Sequence, residues 1–336
     1  MKRSPRRLLV AAVTLAVPLA TVTGCGDGGG SGGTDQVSVV AAFYPLRYAS
    51  ERVGGEHVRV TDLTRPGTEP HDLELDPRDV VTLAEADLVV YLPGFQPAVD
   101  DAVAAEVGDS ALDVAPAARL DPRPAEGADR ATDRATDQET PATSGTTTGH
   151  DDGAEHGTEG GHGTADPHFW LDPSRLADVA DTIAVRLAAL DPAHAADYRA
   201  GATGLRAELE TLDAEFASAL ATCTSRDLVT SHEAFGYLAG RYDLRQLGVA
   251  GLNPEAEPSA AALAALADVV RERRVRTIYH ETLVSPDIAT TLARETGTRV
   301  AVLDPIEGVT KDSAARDYPG IMRANLATLR EGQECS

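Results

Sequence analysis

The sequence predicts an α/β protein with two βα halves that contain parallel sheets and are joined by a long, rigid helix. Short apolar runs alternate with helical patterns from residue 37 to about residue 120, and the alternation returns between residues 227 and 303. Strands that alternate with helices are typical of βαβ units and therefore of a parallel sheet. The stretch 174–221 between the halves is helical with one break. A chain of 336 residues suits two domains better than one.

The apolar runs locate the individual elements of each half. In the first half they predict strands at 37–41, 58–63 and 87–92, with a helix at 78–86 that starts after Asp76-Pro77. In the second half the expected strands lie near 227–231, 275–280 and 299–303, and the expected helices near 233–241, 258–273 and 286–296.

Two helices are expected between the halves. Asp172-Pro173 and Asp191-Pro192 each provide an N-cap followed by proline at the first helical position. The second helix runs to about residue 221, and some 28 residues give a rod of roughly 40 Å. Gly201 and Gly204 weaken this helix by about 1 kcal/mol each relative to alanine. A rod of this length is a spacer between the halves, not a hinge loop.

Residues 121–166 form an acidic insert without hydrophobic periodicity. Eleven acidic and three basic residues give a net charge of −8, and such a stretch is expected to be disordered. Its histidines, His150, His156 and His162, lead to His168 at a constant step of six residues. Short histidine-rich tracts bind metals weakly, so we expect an auxiliary, ion-gathering role. A low-complexity loop without function is the alternative.

The N-terminus has the pattern of an export signal. Four basic residues precede an apolar segment at 8–20 that is too short to span a bilayer. The segment ends in Val22-Thr23-Gly24-Cys25, which resembles the lipobox of bacterial lipoproteins. This resemblance implies a signal peptide at 1–24, lipidation of Cys25, a flexible tether at 25–36 and an extracytoplasmic protein anchored to the cell membrane. An ordinary secretory signal with an incidental cysteine is the alternative.

Charge and cysteine content restrict the partners and the compartment. Removal of residues 1–24 deletes four basic and no acidic residues, which changes the formal charge from −23 to −27. A surface this acidic disfavours nucleic acid as a partner and attracts cations. Once Cys25 is lipidated, Cys223 and Cys335 remain, and two thiols in an oxidising compartment suggest a disulfide. Two free thiols are the alternative.

Four candidate metal ligands follow or adjoin predicted elements. His71 comes after the strand-like run at 58–63, His168 directly precedes a helix, His232 lies at a strand-to-helix junction, and Asp304 ends an apolar run. Ligands of open α/β sheets bind at the carboxyl ends of strands, and imidazole with carboxylate suits a borderline divalent ion. Separations of 97, 64 and 72 residues exclude a local, finger-like site.

Several unusual motifs then give a specific resemblance. They are Phe43-Tyr44-Pro45-Leu46, Val53-Gly54-Gly55, Pro66-Gly67-Thr68-Glu69-Pro70-His71-Asp72, Ala86-Asp87-Leu88-Val89, Pro167-His168-Phe169-Trp170-Leu171-Asp172-Pro173, Ser231-His232-Glu233-Ala234-Phe235-Gly236-Tyr237 and Leu303-Asp304-Pro305. In this order the chain resembles cluster A-I solute-binding proteins, the zinc- and manganese-binding components of ABC importers, over nearly all of residues 37–335.

The resemblance implies an N-terminal lobe at 37–190, a linking helix at 191–221, a C-terminal lobe at 222–336, and a metal buried in the cleft between the lobes. It further implies a monomer that delivers its ion to an ABC transporter permease. Carried over by motif, His71 and His168 come from the first lobe, and His232 and Asp304 from the second. Water or Glu69 is the alternative occupant of the fourth ligand position.

Zinc is the expected ion. Three imidazoles with at most one carboxylate favour zinc, whereas carboxylate-rich sites suit manganese. The family's manganese members carry a carboxylate where His232 stands. A metal-binding surface adhesin is compatible with the same resemblance. A zinc hydrolase with Glu233 as general base is disfavoured, because position 236 is glycine where the motif His-Glu-x-x-His requires histidine, and Gly-x-Ser-x-Gly is absent. We therefore expect a binding protein and not an enzyme.

Overall fold

The computed structural model of the chain describes residues 36–120, 165–254 and 258–336. The predicted signal peptide, Cys25, and the histidines at 150, 156 and 162 lie outside the described residues. Among the helices of the described stretches, none combines the length and apolarity needed to cross a membrane.

The first lobe contains a parallel sheet of four strands in the order β2-β1-β3-β4. Its strands are β1 (Val37–Ala41), β2 (Val58–Asp62), β3 (Leu88–Tyr91) and β4 (Ala111–Asp113). Its helices are α1 (Tyr44–Gly54), α2 (Pro77–Ala84), α3 (Pro97–Ala102), which continues as a π-helical turn over Val103–Val107, and α4 (Ala115–Ala118). The central strands β1 and β3 are almost continuously apolar and buried, as expected for a sheet that is covered on both faces.

The second lobe repeats this topology, with a parallel sheet in the order β6-β5-β7-β8. Its strands are β5 (Asp227–Thr230), β6 (Arg245–Gly248), β7 (Thr277–His280) and β8 (Arg299–Val302). The helices of this part of the chain are α7 (Gly236–Arg241), α8 (Ala260–Glu272), α9 (Asp287–Thr296) and α10 (Tyr318–Gly332). In both sheets the strand order switches sides between the first and third strands, that is, between β1 and β3 and between β5 and β7. Open α/β sheets bind their ligands at such switch points.

Two helices lie between the sheets in sequence, α5 (Pro173–Leu190) and α6 (Ala195–Leu220). At 26 residues, α6 is about 39 Å long. It contacts the first lobe through Glu208, which pairs with Arg52 at 2.6 Å. It contacts the second lobe through Asp213, which accepts two hydrogen bonds from Arg241, and through Glu215, which accepts two from Arg323. One helix is thus fixed to elements on both sides.

These features confirm the predicted fold class of two parallel-sheet lobes joined by a long helix. The helix expected at 233–241 begins later, at Gly236. The edge strands β4 and β6 and the helices α1, α3, α4 and α10 had no counterpart in the sequence prediction. We expected the insert to be disordered to residue 166, but Asp166 makes defined contacts with His168. Residues 121–164 of the insert lie outside the described residues.

A disulfide joins Cys223, just after α6, to Cys335 at the end of the chain. Backbone hydrogen bonds from Thr224 and Ser225 to the carbonyl groups of Glu334 and Gln333 lie beside it. The C-terminus is therefore held against the segment that leads into β5.

Candidate metal centre

Four side chains from both lobes converge at the carboxyl ends of the two sheets. One ligand atom from each of His71, His168, His232 and Glu307 lies within 4.8 Å of the other three. His168, His232 and Glu307 are buried, and the His71 side chain is 10% exposed. Each residue follows or precedes an element whose end faces the cleft, so the fold and not the local sequence assembles the group.

His71 lies in the loop between β2 and α2. Its ring packs edge-on against Phe95 with centroids 4.7 Å apart, and its backbone N–H donates to Oε1 of Glu69 at 3.3 Å. Gln96 donates from Nε2 to the carbonyl of Pro70 at 3.2 Å, which ties this loop to the start of α3. These contacts hold the backbone of the loop and the ring of His71 in place.

His168 precedes a short 3-10 turn, Phe169–Leu171, that leads into α5. Its ring is fully buried, and its Nδ1 donates to Oδ1 of Asp166 at 2.8 Å. The same oxygen accepts the backbone N–H of His168 at 2.9 Å. Trp170 packs beside the ring with centroids 5.3 Å apart. Nε2 of His168 is directed toward Glu307.

His232 follows β5, and the strand order of the second sheet switches sides between β5 and β7. Its Nδ1 lies 2.6 Å from Oε2 of Glu281, and its backbone N–H donates to Oε1 of the same carboxylate at 3.2 Å. Glu281 follows β7, which pairs with β5, so the sheet itself places the two residues side by side. Burial alone would lower the pKa of His232, but Glu281 and then Glu307 raise the pKa to about 10.

Glu307 lies after β8, in a turn that several hydrogen bonds hold in place. Oδ1 of Asp304 accepts the backbone N–H of Ile306 at 2.8 Å, and Asn325 of α10 bonds both backbone groups of Asp304. Nε1 of Trp170 donates to the carbonyl of Pro305 at 2.7 Å. Ile306 has a φ of +59°, which is strained for a β-branched residue and costs about 1–3 kcal/mol. These contacts hold the strained turn in place.

Four of the six distances between the donor atoms range from 2.9 to 3.6 Å, around the spacing of a tetrahedral site. Oε1 of Glu307 lies 2.9 Å from Nε2 of His168, 3.5 Å from Nε2 of His71 and 3.6 Å from Nε2 of His232. The Nε2 atoms of His168 and His232 are 3.3 Å apart. A tetrahedral zinc ion with bonds of about 2.0–2.1 Å separates its donors by about 3.3–3.4 Å. The residues present therefore fit a zinc ion.

The electrostatics of the group also suit a cation. Burial would raise the pKa of Glu307, but the neighbouring imidazoles of His168, His232 and His71 hold the pKa well below its ordinary value. Burial would likewise lower the pKa of His168, while Asp166 and Glu307 raise it. Nε2 of His71 and Oε2 of Glu307 are buried without a hydrogen-bond partner. Such atoms are costly to bury unless a ligand satisfies them.

Of the four predicted ligands, His71, His168 and His232 belong to the converging group, and Asp304 does not. Asp304 does not belong to the converging group, because its carboxylate turns back onto its own loop to accept the N–H of Ile306. Burial raises the pKa of Asp304 to about 6. Glu69, the alternative fourth ligand, also lies outside the group, and burial followed by the charge of Glu307 raises its pKa to about 8. The fourth donor in this structure is Glu307.

Sequence reasoning missed Glu307, Glu281 and Asp166. Glu307 lies three residues after the predicted ligand Asp304, and the apolar run before them gave no reason to prefer the second carboxylate. Glu281 directly follows β7, so its position at the end of a predicted strand could have identified it from the sequence. Asp166 was included in the low-complexity insert and was therefore overlooked.

Comparison with known proteins places the chain in a family. The ZnuA family, described as "Zinc-uptake complex component A periplasmic", matches residues 39–332. The zinc-binding protein AdcA of Streptococcus pyogenes serotype M18 is 35% identical over 298 residues, which cover 88% of this chain and 56% of that protein. This chain therefore spans just over half the length of that relative.

Other matches extend over whole relatives. The high-affinity zinc uptake system protein ZnuA of Bacillus subtilis is 31% identical, covering 94% of this chain and 95% of the relative. The crystal structure of the Zn(II)-bound ZnuA-like domain of Streptococcus pneumoniae AdcA superimposes with a TM-score of 0.66 at 28% identity, covering 89% and 99% of the two chains. The laminin-binding protein Lmb of Streptococcus agalactiae superimposes with a TM-score of 0.71 at 29% identity, covering 88% and 99%.

The match to the family model covers most of the chain and includes every member of the converging group. The chain belongs to the ZnuA family of zinc-uptake components.

Proposed function

We propose that this protein is the extracytoplasmic, high-affinity zinc-binding component of an ABC importer. It captures Zn²⁺ between its lobes and delivers the ion to the permease. The observation that carries the proposal is the buried group of three imidazoles and one carboxylate, contributed by both lobes at tetrahedral spacing. The curated relatives named above are zinc-binding or zinc-uptake proteins, which supports zinc as the ion.

The donor set favours zinc over manganese. Imidazole suits zinc, whereas manganese prefers carboxylate, carbonyl and water oxygens and a higher coordination number. Only one oxygen donor belongs to the four-membered group.

Metal content and calorimetry test the proposed ion. Protein purified without added zinc should contain close to one equivalent of zinc by mass spectrometry. After chelation it should bind Zn²⁺ far more tightly than Mn²⁺. Affinity for zinc no tighter than micromolar, unchanged by His232→Ala, would overturn the proposal. A preference for Mn²⁺ would instead identify a manganese importer component.

A carrier role suits the coordination better than catalysis. Catalytic zinc sites keep one position open for water or substrate, with three protein ligands. Here a fourth protein side chain, Glu307, lies beside the three imidazoles and can occupy that position. Glu233, the general base of a hydrolase interpretation, is not part of the converging group.

The predicted lipid anchor and partner follow from the same function. Lipidation of Cys25 would hold the protein at the outer face of the membrane, where a monomer could dock to the permease. The relative in Streptococcus pneumoniae is named a zinc-binding lipoprotein. Labelling with a radioactive fatty acid should mark the wild-type chain and not the Cys25→Ser variant, and membrane fractionation should release only the variant.

The histidines at 150, 156 and 162 are proposed as auxiliary zinc ligands. Replacement of all three by asparagine should remove weak zinc equivalents from a calorimetric titration and leave the tight equivalent unchanged. Loss of the tight equivalent would contradict the assignment of the main site to the two lobes.

Adhesion is a second candidate function. The Streptococcus agalactiae neighbour is titled a bifunctional protein with adhesin and metal-transporting activity. Saturable binding of the zinc-loaded protein to immobilised laminin would support this function, and no binding above an albumin control would exclude laminin as a partner.

A further inference from the structure

Glu281 makes two contacts with His232 and one with its neighbour Ser231. Its Oε1 accepts the backbone N–H of His232 at 3.2 Å and the hydroxyl of Ser231 at 2.7 Å, and its Oε2 lies 2.6 Å from Nδ1 of His232. The residue is 3% exposed. A carboxylate at this distance behind a ligating imidazole favours the tautomer with the proton on Nδ1. When zinc binds, this tautomer leaves the lone pair of Nε2 for the ion, on the side of the ring that faces His168 and Glu307.

Asp166 holds His168 in the same manner. A single oxygen, Oδ1, accepts both the backbone N–H and the Nδ1–H of His168, at 2.9 and 2.8 Å. The carbonyl of Asp166 accepts the hydroxyl of Tyr237 in α7 at 2.9 Å, which anchors the residue to the second lobe. Both buried imidazoles therefore have a carboxylate behind Nδ1, supplied by different segments of the chain.

We propose that Glu281 and Asp166 are positioning residues of the zinc site, each of which fixes the ring and tautomer of one histidine ligand from behind. The inference rests on the proposed function. A carboxylate behind a ligating imidazole orients the ring and raises its basicity, and removal of such a partner typically costs about 10- to 100-fold in metal affinity. Neither carboxylate touches the ion itself, since neither belongs to the converging group.

The test measures zinc affinity of the full chain by competition with a chromophoric chelator. Glu281→Gln and Asp166→Asn keep the size of each side chain and remove its charge. Each should weaken zinc binding by about 10- to 100-fold and shift the visible absorption spectrum of the Co²⁺-substituted protein. Glu281→Asp should recover part of the loss. Asp62→Asn is the matched control, because Asp62 is a partly buried carboxylate at the end of β2 that lies outside the converging group.

A double-mutant cycle separates positioning from a general structural role. In a His232→Ala background, Glu281→Gln should have little further effect on affinity, because the carboxylate acts through that ring. Asp166→Asn should behave likewise in a His168→Ala background. Thermal unfolding of the metal-free variants identifies any that fail to fold. Ser231→Ala then provides a milder variant, which should weaken affinity in the same direction as Glu281→Gln.

Two results overturn the inference without touching the proposed function. Wild-type affinity and an unchanged Co²⁺ spectrum in Glu281→Gln and Asp166→Asn would show that the carboxylates do not act on the site. An equal loss of affinity with and without His232 would show that Glu281 acts by another route. If the wild-type protein itself binds no zinc, the proposed function fails instead.

Discussion

At the scale of single residues, the sequence prediction and the structure differ in the fourth member of the converging group. Asp304 and Glu307 are three positions apart, and both are buried. Asp304 uses its carboxylate to cap the backbone of Ile306, and the turn so formed carries Glu307 to the imidazoles. The first carboxylate therefore shapes the loop and the second completes the donor set.

Substitution of each carboxylate by its amide distinguishes these roles. Glu307→Gln removes the only anionic donor of the group, so zinc affinity should fall by at least about tenfold, as expected for loss of a charge-assisted contact. Asp304→Asn keeps Oδ1 as an acceptor for Ile306, so its affinity should stay within about threefold of wild type. Competition titration measures both. A larger loss in Asp304→Asn than in Glu307→Gln would restore Asp304 as the ligand.

Zinc binding should release protons. The pKa of His232 is raised to about 10 in the metal-free protein, so this ring holds a proton at neutral pH that the ion must displace, and the pKa of His168 is raised as well. Apparent affinity should therefore rise with pH, by about tenfold per pH unit for each proton released. Calorimetry in buffers of different ionisation enthalpy counts the protons, and a count of zero would contradict the charge state of the site.

At the scale of elements, the last helix α10 organises loops on both sides of the metal centre. Tyr318 donates its hydroxyl to the carbonyl of Trp170, beside His168, and Asn325 holds the backbone of Asp304. Trp170 in turn bonds Pro305. One helix far along the chain thus links the loops that carry His168 and Glu307.

Two glycines in the long helix α6 differ in how much space surrounds them. A Cβ at Gly201 would lie 2.5 Å from the carbonyl oxygen of Val53 in α1, whereas a Cβ at Gly204 would meet nothing within 4 Å. Gly204→Ala should therefore stabilise the protein by up to about 1 kcal/mol through helix propensity. Gly201→Ala should destabilise it by about 1–3 kcal/mol, because the backbone of α1 must move.

Urea unfolding of the metal-free protein measures the stability of both variants. The two variants should shift the transition midpoint in opposite directions. Stabilisation by Gly201→Ala would show that α1 and α6 do not pack as closely as the structure has them.

At the scale of the whole molecule, the lobes have the same strand order and oppose the carboxyl ends of their sheets across the cleft. The linking helix is fixed to α1 on one side and to α7 and α10 on the other. The disulfide adds a covalent constraint between the end of this helix and the C-terminus.

Removal of the disulfide should lower global stability without affecting the metal site directly. Its cysteines are 112 residues apart, and the chain-entropy model assigns a loop of this size about 4–5 kcal/mol. The double variant Cys223→Ser, Cys335→Ser should lose about 2–5 kcal/mol of unfolding free energy and keep its zinc affinity. Urea unfolding under non-reducing conditions measures the loss. An unchanged midpoint, or a midpoint insensitive to reductant in the wild type, would contradict a stabilising bond.

The sequence by itself determined the class of fold and three of the four converging residues. Alternating apolar runs fix βα units because period and length are local properties, and the Asp-Pro caps fix the starts of helices. His71, His168 and His232 could be predicted because each lies beside a predicted element in an unusual motif. The edge strands β4 and β6 were missed, since they are short and only partly buried.

Only the tertiary structure placed Glu307, and not Asp304, beside the three histidines, and only it placed Glu281 and Asp166 behind their rings. Those choices depend on which way a side chain turns at the end of a loop. The direction is set by contacts with residues far away in sequence, such as Asn325 with Asp304 and β7 with β5. No local pattern encodes such contacts, because the desolvation and hydrogen bonding that select them exist only once both lobes have come together.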